Sequence, residues 1–121
     1  MTPLLFAIQK NLSDEIIKLL ITDKNKDIQS RNGMTPLYLA IENKLSDEII
    51  KLLITDKNKD IQDVIWGKTP LHLAITKELS DEIIKLLITK YNINIQTKNG
   101  YTPVDLAIYN KKSEEIIKLL K

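Results

Sequence analysis

The stretch Gly67-Lys68-Thr69-Pro70-Leu71-His72-Leu73-Ala74-Ile75 recurs as Gly33-Met34-Thr35-Pro36-Leu37-Tyr38-Leu39-Ala40-Ile41 and as Gly100-Tyr101-Thr102-Pro103-Val104-Asp105-Leu106-Ala107-Ile108. A shortened copy, Met1-Thr2-Pro3-Leu4-Leu5-Phe6-Ala7-Ile8, stands at the start. The Thr-Pro pairs begin at residues 2, 35, 69 and 102, so the period is 33, then 34, then 33 residues. Self-similarity at that length means stacked supersecondary units, and it is settled before any other feature is weighed.

Each Thr-Pro reads as a helix start. A threonine N-cap accepts a hydrogen bond from a free backbone N–H, and proline at the first helical position loses no bond. The run that follows is short and apolar, and the small Ala7, Ala40, Ala74 and Ala107 let a neighbouring helix approach closely. This first helix is predicted to last about two turns and to stop near Asn43, Lys77 or Asn110. Next comes Leu12-Ser13-Asp14-Glu15-Ile16-Ile17-Lys18-Leu19-Leu20-Ile21-Thr22, repeated without change at 45–55 and 79–89. Its serine is a natural N-cap, and the acidic pair suits the positive end of a helix. Isoleucine and leucine then build one apolar face. Asp14–Lys18, Asp47–Lys51, Asp81–Lys85 and Glu114–Lys118 are spaced as ion pairs within a helix. Burial of four or five aliphatic side chains, at roughly 1.5–3 kcal/mol each, outweighs those pairs. Packing is what holds this helix.

After Thr22 the chain turns polar, then carries one apolar residue and an Asn-Gly turn. Ile28, Ile61 and Ile95 are expected to plug the core beneath this connector. Asn32-Gly33 and Asn99-Gly100 mark tight turns, because glycine takes a positive φ without steric cost. The middle connector, Asp63-Val64-Ile65-Trp66-Gly67, is one residue longer and lacks Asn-Gly. Each unit is therefore turn, short helix, helix and connector. One unit leaves an apolar side uncovered, and stacking units in a row buries it. At the ends, Lys112 and Lys121 replace leucine and isoleucine, which reads as a solvent-facing cap. The first unit lacks its turn and keeps Leu4, Leu5 and Phe6, so it is a weak cap or the cut end of a longer array.

Composition excludes several function classes. Of 121 residues, 43% are hydrophobic and 28% charged, the balance of an ordinary globular domain. A net charge of +2, from 18 basic and 16 acidic side chains, gives no reason to expect nucleic acid. Without cysteine there are no disulfides, thiolate metal sites or cysteine nucleophiles. Apolar runs such as Leu4–Ile8 are too short for a bilayer, and no signal peptide is visible. Asn11-Leu12-Ser13 matches a glycosylation sequon, but nothing else suggests secretion, and an intracellular, cytoplasmic protein is expected. No catalytic constellation stands out. The one histidine, His72, occupies a repeat position filled elsewhere by Leu5, Tyr38 and Asp105. Ser13, Ser46, Ser80 and Ser113 are explained as caps and the Asp-Glu pairs by the helix ends. Gly33, Gly67 and Gly100 lie one per connector, so they form no phosphate loop. No cofactor and no metal are expected.

Gly-x-Thr-Pro-Leu-His-Leu-Ala at a 33-residue period resembles the ankyrin repeat. The likeness covers the whole chain as one domain with units 1–33, 34–67, 68–100 and 101–121. The resemblance implies an all-α repeat solenoid, each unit a β-turn or hairpin tip plus two antiparallel helices, in a slightly curved stack. There are departures. The family usually closes its first helix with Gly-His, where this chain has Lys44-Leu45-Ser46-Asp47. The connector is also shorter and lacks the family's usual glycine, which bears on how units stack.

The resemblance further implies a non-catalytic protein-binding module that meets its partner protein through the concave face, at turn tips and first helices. Those positions are Arg31, Asn32, Met34, Glu42 and Asn43 in the second unit. In the third they are Ile65, Trp66, Lys68, Thr76 and Lys77, and in the fourth Lys98, Asn99, Tyr101, Tyr109 and Asn110. For His72 it implies a structural hydrogen-bonding role between turns. Positions that differ between near-identical units are not needed for stacking, and the sets Met34/Lys68/Tyr101 and Glu42/Thr76/Tyr109 fall where the family makes contacts. Drift on a solvated surface is the competing explanation. Trp66, the only tryptophan, is either a binding anchor or the folded-back residue of a bulged turn. A structural spacer, the targeting part of a larger protein and an idealised repeat scaffold are the alternative functions. A monomer is expected, with end-to-end association through Leu4, Leu5 and Phe6 as the alternative; no membrane partner is expected.

Overall fold

The computed structural model describes residues 2–121; Met1, the first residue of the shortened copy, lies outside the described residues. Eight α-helices of seven residues each follow in pairs among them, with short 3-10 turns at Asn58–Asp60 and Asn92–Asn94. They are α1 (Pro3–Gln9) with α2 (Asp14–Leu20), α3 (Pro36–Glu42) with α4 (Asp47–Leu53), α5 (Pro70–Thr76) with α6 (Asp81–Leu87), and α7 (Pro103–Tyr109) with α8 (Glu114–Leu120). First helices pack on first helices and second on second along the stack, and each also packs on its own pair-mate. The fold is an all-α repeat solenoid.

Local chemistry sets every helix start. Thr2, Thr35, Thr69 and Thr102 accept from the N–H three residues on, at 3.2–3.4 Å, with proline next in line. Ser13, Ser46, Ser80 and Ser113 cap the second helices in the same way, at 3.3–3.4 Å, ahead of paired acidic residues. Ala7, Ala40, Ala74 and Ala107 are all buried between neighbouring first helices. Between the helices of a pair, Asn11, Lys44, Glu78 and Lys111 take left-handed φ values of 52–59°. Glycine fits that conformation best.

Beneath the connectors the structure departs from the sequence reading. Ile28 is exposed and Ile61 and Ile95 are half-buried, so they do not plug the core. Asn58 and Asn92 do, fully buried. Asn58 Oδ1 accepts from Thr55 N at 2.9 Å, and its Nδ2 donates to Leu53 O at 2.7 Å and Lys26 O at 3.5 Å. Asn92 repeats the pattern with Thr89 N, Leu87 O and Lys59 O at 2.9, 2.7 and 3.4 Å. A carboxamide supplies both donor and acceptor to a turn whose backbone groups water cannot reach, which isoleucine cannot do.

The lysines also pair differently. Lys18 donates to Glu48 at 2.6 Å, Lys51 to Glu82 and Lys85 to Glu115, each across to the next repeat instead of four residues back. Ser46 and Ser80 donate the other way, to Asp14 and Asp47 of the preceding repeat. Lys112 is not a solvent-facing cap: its stem is mostly buried and its Nζ lies 3.6 Å from Asp81 Oδ1. A long aliphatic stem covers the apolar seam while the charge reaches a carboxylate. Lys121 is exposed as read. Leu4 and Leu5 are buried in the first pair, leaving only Phe6 of the three proposed end residues exposed.

Candidate functional site

The connectors end in tips closed by two backbone bonds each: Ser30 N donates to Met34 O at 2.8 Å, Asp63 N to Lys68 O at 2.9 Å and Thr97 N to Tyr101 O at 2.9 Å, while Gly33 N, Gly67 N and Gly100 N donate back to Ser30 O, Asp63 O and Thr97 O at 3.0, 3.2 and 2.8 Å. Consecutive tips are tied by Val64 N donating to Asn32 O and Lys98 N to Trp66 O, both at 3.0 Å. Gly33 and Gly67 take φ values of 79° and 71° at these crossings. A Cβ on Gly67 would stand 3.1 Å from Lys98 N, so glycine is required by space as well as by φ.

The middle tip is longer, and Asp63 organises it. Buried at its base, Asp63 accepts from Trp66 N at 2.9 Å and Lys68 N at 3.2 Å through Oδ1. Its Oδ2 accepts from the Tyr38 hydroxyl at 2.6 Å. Burial, and then the Asp63 carboxylate, push the Tyr38 hydroxyl far above the usual tyrosine range, so it stays a donor. The shorter tips use Ser30 and Thr97 at that place, accepting from Met34 N at 3.3 Å and Tyr101 N at 3.2 Å.

His72 stands where Tyr38 does, one repeat on, and is fully buried. Thr69 N donates to its Nδ1 at 3.1 Å, which leaves the proton on Nε2, 3.1 Å from Tyr101 O. Burial lowers its pKa, so the ring is neutral and links one repeat to the next tip. The structural role implied by the resemblance is what the geometry displays.

Two open grooves lie along this tip surface. One, of about 310 Å³, is lined by Trp66, Lys68, Thr76, Asn99 and Tyr101 together with Thr97 and Leu106. Trp66 is 55% exposed, Tyr101 is exposed too, and Lys68 Nζ lies 5.9 Å from the indole centroid. The second groove, of about 600 Å³, includes Arg31, Asn32 and Met34 beside Thr2, Leu5 and Leu39. The remaining sequence-predicted residues lie outside both linings. Ile65, Lys98 and Tyr109 are exposed, and Glu42 and Lys77 half-buried. Asn43 spends its amide on Ile8 O at 3.1 Å and Asn110 on Leu106 O at 2.8 Å. Lys98 Nζ donates to Val64 O.

Sequence reasoning missed Asp63, which shapes the Trp66 tip, and Leu106, which lines the groove. Asp63 was legible only as the odd residue in a place held elsewhere by Ser30 and Thr97. Among the described residues no group of three or more histidines, aspartates and glutamates is placed to hold a metal ion. None of the described helices is long and apolar enough to cross a membrane. A family model described as ankyrin repeats (3 copies) matches residues 1–64 and 44–121. No curated protein matched the chain.

Proposed function

The chain belongs to the ankyrin-repeat family, and from that premise we propose that it binds a partner protein through its tips and first helices, with no chemistry of its own. Ankyrin repeats are in general protein–protein interaction modules. The observation that carries the reading is the Trp66–Tyr101 groove. Two exposed aromatic rings and a lysine surround an apolar floor at Leu106, the kind of anchor site that dominates binding energies. Units 1–33, 34–67, 68–100 and 101–121 are the modules of this reading, and the third and fourth supply the groove. An intracellular, cytoplasmic setting belongs to the same proposal, supported by the lack of cysteine.

Affinity capture comparing the unaltered chain with Trp66→Ala and with Trp66→Ala/Tyr101→Ala tests it. Recovery of a specific protein should weaken by roughly tenfold or more in the double variant, with the melting temperature unchanged. Equal recovery by both chains would remove the groove from the reading.

A further inference from the structure

The three tips carry charge of one sign. Their charged residues are Arg31, Asp63, Lys68 and Lys98, and the single carboxylate among them is buried. Asp63 is taken up by the Tyr38 hydroxyl and by two backbone N–H groups, so what the tips present outside is cationic. This holds on a chain whose net charge is only +2. Among the described residues the ion pairs lie elsewhere. Lys18, Lys51, Lys85 and Lys112 meet carboxylates at the second helices, and Lys26 and Lys59 meet them in the connectors. Lys68 and Lys98 are instead held by the tips themselves. Lys68 N donates to Asp63 Oδ1 at 3.2 Å and its Nζ stands 5.9 Å from the Trp66 ring centroid, while Lys98 Nζ donates to Val64 O of the neighbouring tip. An ammonium has three donors, so both keep N–H groups for an anion. Lys68 lines the Trp66–Tyr101 groove, and Lys98 stands between Thr97 and Asn99, which line it too. Of the acidic side chains on the first helices, Glu42 and Asp105, neither lines the groove, and Asp105 is engaged by Thr102 N at 3.0 Å.

Resting on the partner-binding reading above, we propose that this groove takes an acidic segment of another protein. An apolar side chain of the segment sits on Leu106 between Trp66 and Tyr101, and carboxylates on either side of it pair with Lys68 and Lys98. The groove, of about 310 Å³, is at the small end of binding pockets, roughly 300–1,000 Å³, so it seats an anchor side chain and leaves the flanking residues outside on the cationic rim. Asn99 is exposed at that rim, and a carboxamide both donates to and accepts from a peptide backbone. The aromatic anchor supplies affinity, and the complementary charge supplies partner choice and association rate. A basic segment meets like charge at every tip. A nucleic acid strand is served less well, because its affinity grows with each phosphate neutralised and the tips offer three cations over three repeats.

Selection of phage-displayed random linear peptides on the immobilised chain, with peptides that also bind Trp66→Ala/Tyr101→Ala removed, tests this. The recovered sequences should carry an apolar residue flanked by aspartate or glutamate. Synthetic copies of them should change the fluorescence of Trp66, the only tryptophan, and so yield a Kd. Lys68→Gln/Lys98→Gln should weaken that Kd by about threefold or more, since each exposed pair contributes a modest amount, and added salt should weaken it in the unaltered chain. Lys68→Glu/Lys98→Glu, put through the same selection, should recover peptides with lysine or arginine in place of the acids. Melting curves verify that the variants keep the fold. Recovery of peptides with no excess of acidic residues, or of none at all, would overturn the proposal. So would affinities that neither lysine variant moves, or an oligouridylate that quenches Trp66 more tightly than the selected peptides. The two readings fail separately. Peptides that need Trp66 and Tyr101 but not the lysines leave the groove as a protein-binding site and remove only the acidic class. Peptides that bind as well without both aromatic residues remove the groove itself.

Discussion

At the scale of single residues, Tyr38 and His72 hold one place in consecutive repeats and reach the next tip by different chemistry. Tyr38 donates to a buried carboxylate, whereas His72 uses both ring nitrogens, one accepting and one donating. Tyr38→Phe keeps the volume but strands Asp63 Oδ2 without its hydroxyl. A loss of about 1–3 kcal/mol, read from the urea midpoint, is expected. For His72 the sign of the pH dependence follows from its lowered pKa. The unfolded chain takes up a proton near 6.5, the folded chain only at lower pH. Between those values the unfolded state binds more protons, so stability falls as pH drops below about 6.5. Urea titrations at pH 7.5 and 5.5 should show that fall, and His72→Gln should lose its share of it while being less stable at pH 7.5. Lys44 and Glu78 are a separate matter, since both hold a left-handed φ. Replacing either with glycine should raise stability by about 0.5–1 kcal/mol, the relief of a side-chain clash less the added chain entropy.

At the scale of elements, the connector turn after each second helix is held by a Thr-x-x-Asn bracket that differs in burial along the chain. Asn58 and Asn92 are sealed, while Asn25 is half-buried although it makes the same bonds to Thr22 N and Leu20 O, at 2.9 and 2.7 Å. Asn58→Ala should therefore cost about 1–3 kcal/mol, and Asn25→Ala only a fraction of that, because water replaces the amide. Chemical denaturation of the two variants side by side measures the difference. The helices themselves were legible in advance. Thr-Pro and Ser-Asp-Glu mark their starts by local rules, and each start fell where those rules put it. The bracket was not, because asparagine in a polar run reads as a solvated turn residue. Thr22/Asn25, Thr55/Asn58 and Thr89/Asn92 carried the signal in their constant spacing. Isoleucine drew attention instead by hydrophobicity, yet a turn needs polar partners more than it needs apolar filling.

At the scale of the whole molecule, Asp-Glu-Ile-Ile-Lys-Leu-Leu occurs three times without change, as α2, α4 and α6. Its first isoleucine is fully buried twice and half bare once. Ile49→Ala and Ile83→Ala should each cost about 2–5 kcal/mol, and Ile16→Ala well under that range, since it leaves no cavity. Guanidinium unfolding of the three variants checks the contrast. The ion pairs that cross the seams are largely exposed and screened, so they contribute little to stability and more to which faces meet.

The sequence by itself determined the period, the helix starts, the tip glycines and the family, because caps, turns and repeats act over a few residues and are written locally. It also pointed to Trp66, whose oddity in a polar turn needs no coordinates to notice. Only the tertiary structure decided which copy of an identical segment is buried, that lysines pair across repeats rather than along a helix, and that Asp63 shapes the tip beneath Trp66. Those outcomes depend on what the neighbouring repeat places opposite a residue, and identical sequence has no means of encoding a different neighbour.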